Sequence, residues 1–331
     1  EREPAPGRQG SAQNAALIRQ HAANPATAAL ARAGRDWCAE HRGTFEKPFF
    51  RQTGSILIGG RASAELVTGY HRDRQRWLRG AEAYELSGCD SLPAGRALWT
   101  EGDGVADPAA LIDNLLHAAC AAGAQVAYGV EAHRLDSGRV TVGDQTVSAG
   151  VVVAATGAWA QQWLPLPIQP FRRHLFYAPE PCGVAQDAPW IWDLDGEVYL
   201  RREGAGLLLC ACDENPAAAG PVGRWPEVDP AASEWLAERL VPRWPQFANL
   251  APQRTWAGLR CLSPDDAFVL GPDPRDERLI WIAGLGGHGV TCAVPAARLA
   301  LSTITSENLG DFDVTGTSVR RFASLSETWD A

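Results

Sequence analysis

The sequence predicts a mixed α/β (α+β) protein in which an antiparallel-sheet domain is inserted between pieces of an α/β domain. Three observations carry this. The run Leu279 to Ala283 is an apolar strand that enters the glycine turn Gly284-Leu285-Gly286-Gly287-His288-Gly289 and continues as a long apolar helix to Thr305. The run Val151 to Ala155 is wholly apolar, as expected of a strand buried on both faces, and ends in Thr156-Gly157. Between them, from Pro165 to Leu262, prolines and tryptophans thicken and strands dominate.

The elements follow in order. Asn14 to Ala33 is Ala-rich and reads as a helix stopped at Gly34. Gly54 to Gly59 reads as a strand and Ala62 to Arg79 as a polar helix. Asp107-Pro108 opens a helix, since Asp caps and Pro fits the first turn. Its apolar positions Leu111, Leu115, Ala118 and Ala119 have helical spacing, and Gly123 ends it. Gln125 to Val130 reads as a strand, with short strands after it at Arg134 to Leu135 and Val140 to Val142. In the middle region strands are expected at Arg173 to Ala178, Val198 to Arg202, Leu207 to Ala211 and Arg254 to Leu262. One covering helix is expected at about Ala231 to Arg243. After Pro264 the α/β texture returns.

Composition narrows the function. The chain has 331 residues, 46% hydrophobic and 21% charged, as for a soluble globular protein. A net charge of −9 favours neither nucleic acid nor an anionic membrane as partner. No apolar run reaches the roughly 20 residues needed to span a bilayer, so no transmembrane segment is expected. The eight cysteines include no C-x-x-C pair and no zinc spacing, so no metal site is expected. Cys210-x-Cys212 reads as a packed, reduced pair on one strand face, and reduced cysteines imply a cytoplasmic location.

The glycine turn is a candidate ligand site in its own right. Glycines permit sharp turns and close approach. A helix start presents free N–H groups and a partial positive charge, which suits an anion or a group that becomes anionic. The same turn can also be a bare strand–helix connection.

Several motifs then line up. Ser11-Ala12-Gln13-Asn14 follows an acidic opening, Gly104 to Pro108 opens a helix, and Ala154 to Trp159 ends a buried strand. Gly258-Leu259-Arg260 precedes Ser263-Pro264-Asp265 and Val269-Leu270-Gly271-Pro272, and Gly286-Gly287-His288-Gly289 comes last. In this order they resemble the D-amino-acid oxidase family of FAD-dependent oxidoreductases, which includes glycine oxidase and sarcosine oxidase. The likeness covers nearly the whole chain.

The resemblance implies a Rossmann-like FAD-binding domain (1–45, 90–164 and 264–331) and a substrate domain (46–89 and 165–263) that roofs the flavin. It assigns Glu1, with Glu3 nearby, to the adenosine ribose. Ser11 and Asn14 go to the pyrophosphate and flavin segment, and Arg19 to a basic position near the flavin. Val130 goes to the adenine side, and Thr156 and Gly157 to a second dinucleotide turn. Gly286, Gly287, His288, Gly289 and Val290 go to the flavin ring. It implies oxidation of an amino acid or N-substituted amino acid at C–N by hydride transfer to flavin N5. The imine then hydrolyses to a keto acid, and oxygen or an electron-transfer acceptor reoxidises the flavin. Arg260 is the expected carboxylate ligand and His288 a group near flavin and substrate. Tyr199 and Arg201 share a strand face that either fronts the flavin or covers the outer sheet surface. Gly258 stands where the sarcosine oxidase branch carries its flavin-linking cysteine, so FAD is expected to be non-covalent.

The first strand, the G-x-G-x-x-G loop and its helix, roughly thirty residues, have no counterpart here. With no Met in the chain, a fragment of a longer gene product is expected, one that alone holds little or no FAD. Two other readings stay open: a non-catalytic relative acting as a binding or assembly subunit, and a 2-hydroxy-acid flavin dehydrogenase.

Overall fold

The computed structural model describes residues 1–60, 74–179, 183–307 and 315–322. In chain order the strands are β1 (Leu17–Ile18), β2 (Phe50–Gln52), β3 (Ser55–Gly59), β4 (Gln75–Leu78), β5 (Arg96–Thr100) and β6 (Gly104–Ala106). Then come β7 (Ala132–Asp136), β8 (Arg139–Val142), β9 (Gln145–Ser148), β10 (Val152–Ala154), β11 (Gln169–Ala178) and β12 (Trp190–Asp193). The last are β13 (Val198–Glu203), β14 (Gly206–Cys210), β15 (Asn215–Pro216), β16 (Arg254–Leu262), β17 (Val269–Asp273) and β18 (Asp276–Ala283). The α-helices are α1 (Pro25–His41), α2 (Gly80–Ser87), α3 (Pro108–Ala121), α4 (Ala232–Leu240) and α5 (Gly289–Thr305).

Among the described residues a nine-stranded sheet runs β15-β11-β14-β13-β12-β3-β5-β4, with β16 paired to β11. Its pairs are antiparallel except β12 with β3. Side chains alternate between its two faces. One face packs Phe176, Leu200, Leu209 and Ile191 under Leu236 and Leu240 of α4. The other carries Leu175, Tyr199, Cys210 and Trp192 and turns toward the site.

A smaller sheet, β10-β18-β17, pairs β10 parallel to β18 with Ala154 opposite Trp281. Both strands therefore end at the same side, one into Thr156-Gly157 and the other into the Gly284 turn. Such paired carboxyl ends are where open α/β sheets bind ligands.

Several expectations change. The helix expected at Asn14 to Ala33 begins at Pro25, and Leu17–Ile18 is a strand. Asn24 is the true cap: its side chain accepts from the N–H groups of Ala26 (3.0 Å) and Thr27 (3.3 Å). Gly34 does not stop this helix but lies inside it. A Cβ there would stand 1.9 Å from the Thr291 carbonyl oxygen, so glycine sets the approach of α1 to α5.

Of the helix expected at Ala62 to Arg79, residues 62–73 lie outside the described residues, and Gln75–Leu78 is a strand. Residues 125–130 form no strand. They run beside the first residues instead, with Gly129 and Val130 N–H groups donating to the carbonyls of Glu3 and Glu1. β10 is not buried on both faces, because Val153 is 45% exposed. Cys210 is the last residue of β14, and Cys212 lies beyond it with φ 50°.

Candidate functional site

A cavity of about 640 Å³ lies between the site face of the large sheet and the ends of β10 and β18. That is within the range, roughly 300–1,000 Å³, that holds cofactors and ligands. Its outer end is lined by Glu1, Val130, Glu131 and Thr156, and its inner end by Arg19, Arg173, Tyr199, Arg260 and Gly287. Ser11 and Asn14 line the stretch contributed by the opening loop.

At the outer end Glu3 is occupied. It is buried and accepts from the Gly223 N–H (3.0 and 3.1 Å) and from Gln9 (2.6 Å). Those bonds hold its carboxyl below the usual range against the effect of burial. Glu1, exposed at the rim, lines the cavity beside Glu131, and its Oε1 accepts from the Glu3 N–H at 2.9 Å. Asn14 spends its side chain on the loop itself. It donates to the carbonyls of Gly10 and Ser11 and accepts from Ala16 N–H, so it shapes the wall.

Thr156 and Gly157 stand at the end of β10. The Thr156 hydroxyl is buried and has no partner among the described residues. Gly157 has φ 56° and nothing within 4 Å of its Cβ position. A buried hydroxyl without a partner costs roughly 1–3 kcal/mol, so this end of the cavity is shaped for a polar ligand atom. The Trp192 indole N–H, also on the lining, is likewise unpartnered.

At the inner end Gly287 is the pivot. The place its Cβ would occupy is 2.9 Å from Nη1 of Arg260 and 3.1 Å from Nη2 of Arg19. Two guanidiniums thus converge over a bare backbone. Among the described residues neither pairs with a carboxylate. Arg19 lies over the Trp192 ring at 5.0 Å, and burial with the nearby Arg260 charge lowers its pKa to about 10. Arg260 Nη2 donates to the Tyr199 hydroxyl at 3.4 Å. Burial, first of several causes, pushes that phenol well above its usual range, so it stays neutral.

His288 is absent from the lining. Its Nε2 donates to the His21 carbonyl (2.9 Å), which leaves Nδ1 to accept from Arg19 Nη2 (3.3 Å). Burial and the Arg19 charge hold it well below the usual imidazole range, hence neutral. Arg201 is not brought to the cavity either. It shares the site face with Tyr199, but its Nε donates to the Ala15 carbonyl at 2.7 Å and its Nη1 pairs with Glu203.

In the glycine turn, Gly284 and Gly286 take φ 64° and 49°. The Gly286 N–H is taken by the Cys261 carbonyl (3.0 Å). The N–H groups of Gly289 and Val290 open α5 and have no intrahelical acceptor. Arg173 escaped the sequence reading. It lies opposite Gly258 across β11 and β16, two positions from the Arg260 pair, and only that register exposes its role. Among the described residues no group of His, Cys, Asp or Glu could hold a metal, and no helix is long and apolar enough to cross a membrane.

Comparisons agree with this geometry. A family model described as DAO, FAD dependent oxidoreductase, matches residues 1–302. The bifunctional protein ThiO/ThiG of Synechocystis sp. is 30% identical over 219 residues, 64% of this chain and 32% of that protein. The chain thus spans about a third of that relative's length. Glycine oxidase from Geobacillus kaustophilus superposes with TM-score 0.77 at 21% identity, covering 97% of this chain and 90% of that one. L-Proline dehydrogenase from P. horikoshii gives TM-score 0.80 at 20% identity, covering 96% and 88%. At such identities these two likenesses establish the fold. A cavity with an orphaned hydroxyl at one end, bare glycine turns and a family match over most of the length lead to one assignment: the chain belongs to the DAO family of FAD-dependent oxidoreductases.

Proposed function

We propose that the protein oxidises the C–N bond of a small amino acid or N-substituted amino acid, a hydride passing to flavin N5 and the imine hydrolysing to a keto acid. The observation that carries this is the convergence of Arg19 and Arg260 over Gly287 with no acidic partner among the described residues. Bound FAD supplies the two-electron acceptor, and oxygen or an electron-transfer acceptor completes the cycle. Glu1, Val130, Ser11, Thr156 and Gly157 would hold its adenosine and pyrophosphate portions. Gly287, Gly289 and Val290 would hold the ring portion.

The chain's own residues then divide the work. Arg260 offers a planar fork to the substrate carboxylate, steadied by the Tyr199 hydroxyl. Arg19 approaches the same point from the other side, steadied by neutral His288. Two guanidiniums beside the amine disfavour its ammonium form, and a neutral amine is the form that yields a hydride. The N–H groups that open α5 would offer partial positive charge to the negative charge that builds on a bound flavin when it is reduced. The Cys261 thiol lines the cavity, but burial pushes it up to about 12, which disfavours a reactive thiolate. FAD is accordingly non-covalent and should leave the polypeptide on acid precipitation.

The test is anaerobic bleaching of the FAD-loaded protein by a panel of amino acids, N-substituted amino acids and 2-hydroxy acids. Bleaching by an amine is expected, with Arg260→Lys lowering kcat/KM roughly 10- to 100-fold, the size of a lost charge-assisted contact. Bleaching by hydroxy acids alone, or by none of the panel, overturns the reading.

A further inference from the structure

The inner end of the cavity holds more positive charge than one carboxylate requires. Arg19 and Arg260 share the point over Gly287. Arg173 is a separate guanidinium on the same lining. It is the diagonal neighbour of Arg260 across the β11–β16 pair. Such neighbours stand about 7–8 Å apart at the backbone. Gly258, opposite Arg173, puts no side chain between them, because a Cβ there would stand 2.6 Å from the Gln13 carbonyl oxygen.

Arg173 is 5% exposed, and its Nε is buried without a partner among the described residues. Its carboxylate partner is Glu214, which is 48% exposed, so water competes for that pair. The other acid groups facing these arginines are the Cys210 and Cys212 thiols and the Tyr199 phenol. Burial raises the Cys210 thiol, yet the Cys212 hydrogen bond and the charges of Arg173 and Arg260 together bring it below its usual range.

We propose that the substrate carries two acid groups, as an amino dicarboxylate or an N-carboxyalkyl amino acid does. One carboxylate sits between Arg19 and Arg260, and the other sits on Arg173. This rests on the amino-acid reading above and narrows it to a substrate class. A short apolar spacer between the two acids matches Tyr199 and Leu175, which line the same face.

Valerate and glutarate differ by one carboxylate and carry no amine, so they probe binding without turnover. Their dissociation constants are measured by calorimetry on FAD-saturated protein. Glutarate is expected to bind about tenfold tighter, the effect of one further charge-assisted contact. Arg173→Gln is expected to bring the ratio of the two constants close to one, and Arg173→Lys to keep part of the preference. Equal constants in the parent protein, or a ratio that Arg173→Gln leaves unchanged, overturn the proposal. If Arg173→Gln does not fold, Glu214→Gln decides: freeing Arg173 should widen the glutarate preference, and a narrowed one overturns the proposal. Valerate that fails to bind, or binds equally well to Arg260→Gln, removes the amino-acid reading itself. Valerate held through Arg260 with no glutarate preference removes only the second acid site.

Discussion

Arg19 donates from Nη2 to Nδ1 of His288 across 3.3 Å, while the other ring nitrogen of His288 donates to the His21 carbonyl at 2.9 Å. The imidazole is thereby fixed in one tautomer, neutral, and turned away from the cavity lining. In the proposed function its part is to aim a guanidinium, which sets it apart from a group that exchanges protons with substrate.

His288→Leu should therefore raise KM for the carboxylate substrate by about tenfold, the cost of losing one hydrogen bond to a charged group. The change in kcat should be smaller, and the pH profile of kcat should keep its shape. Steady-state kinetics across pH 6 to 9 checks this. A lost limb in that profile would mean that His288 itself carries the proton.

Thr156→Val should weaken FAD binding, because the buried hydroxyl that lacks a partner among the described residues would lose its ligand contact. About 1 kcal/mol, near fivefold in the dissociation constant, is expected for one neutral hydrogen bond. Flavin fluorescence during dilution measures it. Unchanged retention would place the pyrophosphate elsewhere.

Gly34→Ala should destabilise the protein by about 2–3 kcal/mol through overpacking of α1 against α5. The new methyl would meet the Thr291 backbone, and Thr291 ties α5 to Arg19 N–H and to the Leu17 carbonyl. Chemical denaturation reads the stability. Ligand titration should show weaker carboxylate binding in the same variant.

His21 is held down to about 4 by burial and by Arg19. The sign follows from proton counting. Between the unfolded value near 6.5 and about 4, the unfolded chain binds the proton and the folded chain does not. Stability from this group is thus complete above pH 6.5 and falls as pH drops, by about 1.4 kcal/mol per unit. Denaturation of the parent and of His21→Asn at pH 7, 6 and 5 should show the difference between them changing by about half that slope from pH 7 to 6 and by nearly all of it from pH 6 to 5. A constant difference would refute it.

Much of this fold was legible, for identifiable reasons. β16 has the bounds that its sequence suggested, Arg254 to Leu262, and Asp107-Pro108 opens α3 as a capped start. The misreadings share a cause as well. Ala15 and Ala16 invite a helix, yet Asn24-Pro25 is the pair with a mechanism for starting one. Gly34 has the residue type of a stop, but its close approach to the Thr291 carbonyl shows that it serves a helix–helix contact. In the site, Arg260 and the glycine turn could be named from motif order. Arg173 could not, because nothing local distinguishes it from its neighbour Arg172. Only strand register sets the two apart: Arg172 reaches Asp229 while Arg173 faces the cavity.

The two-faced sheet has an evolutionary consequence. Along β13, Val198 and Leu200 belong to the core under α4, whereas Tyr199 between them belongs to the cavity. The same strand thus stores durability and chemistry in interleaved registers, one residue apart. Substitutions at one parity act on the cavity face, and those at the other act on the core under α4. Changes on the cavity face therefore also act on packing, because Leu175, Tyr199 and Cys210 form a buried cluster of their own.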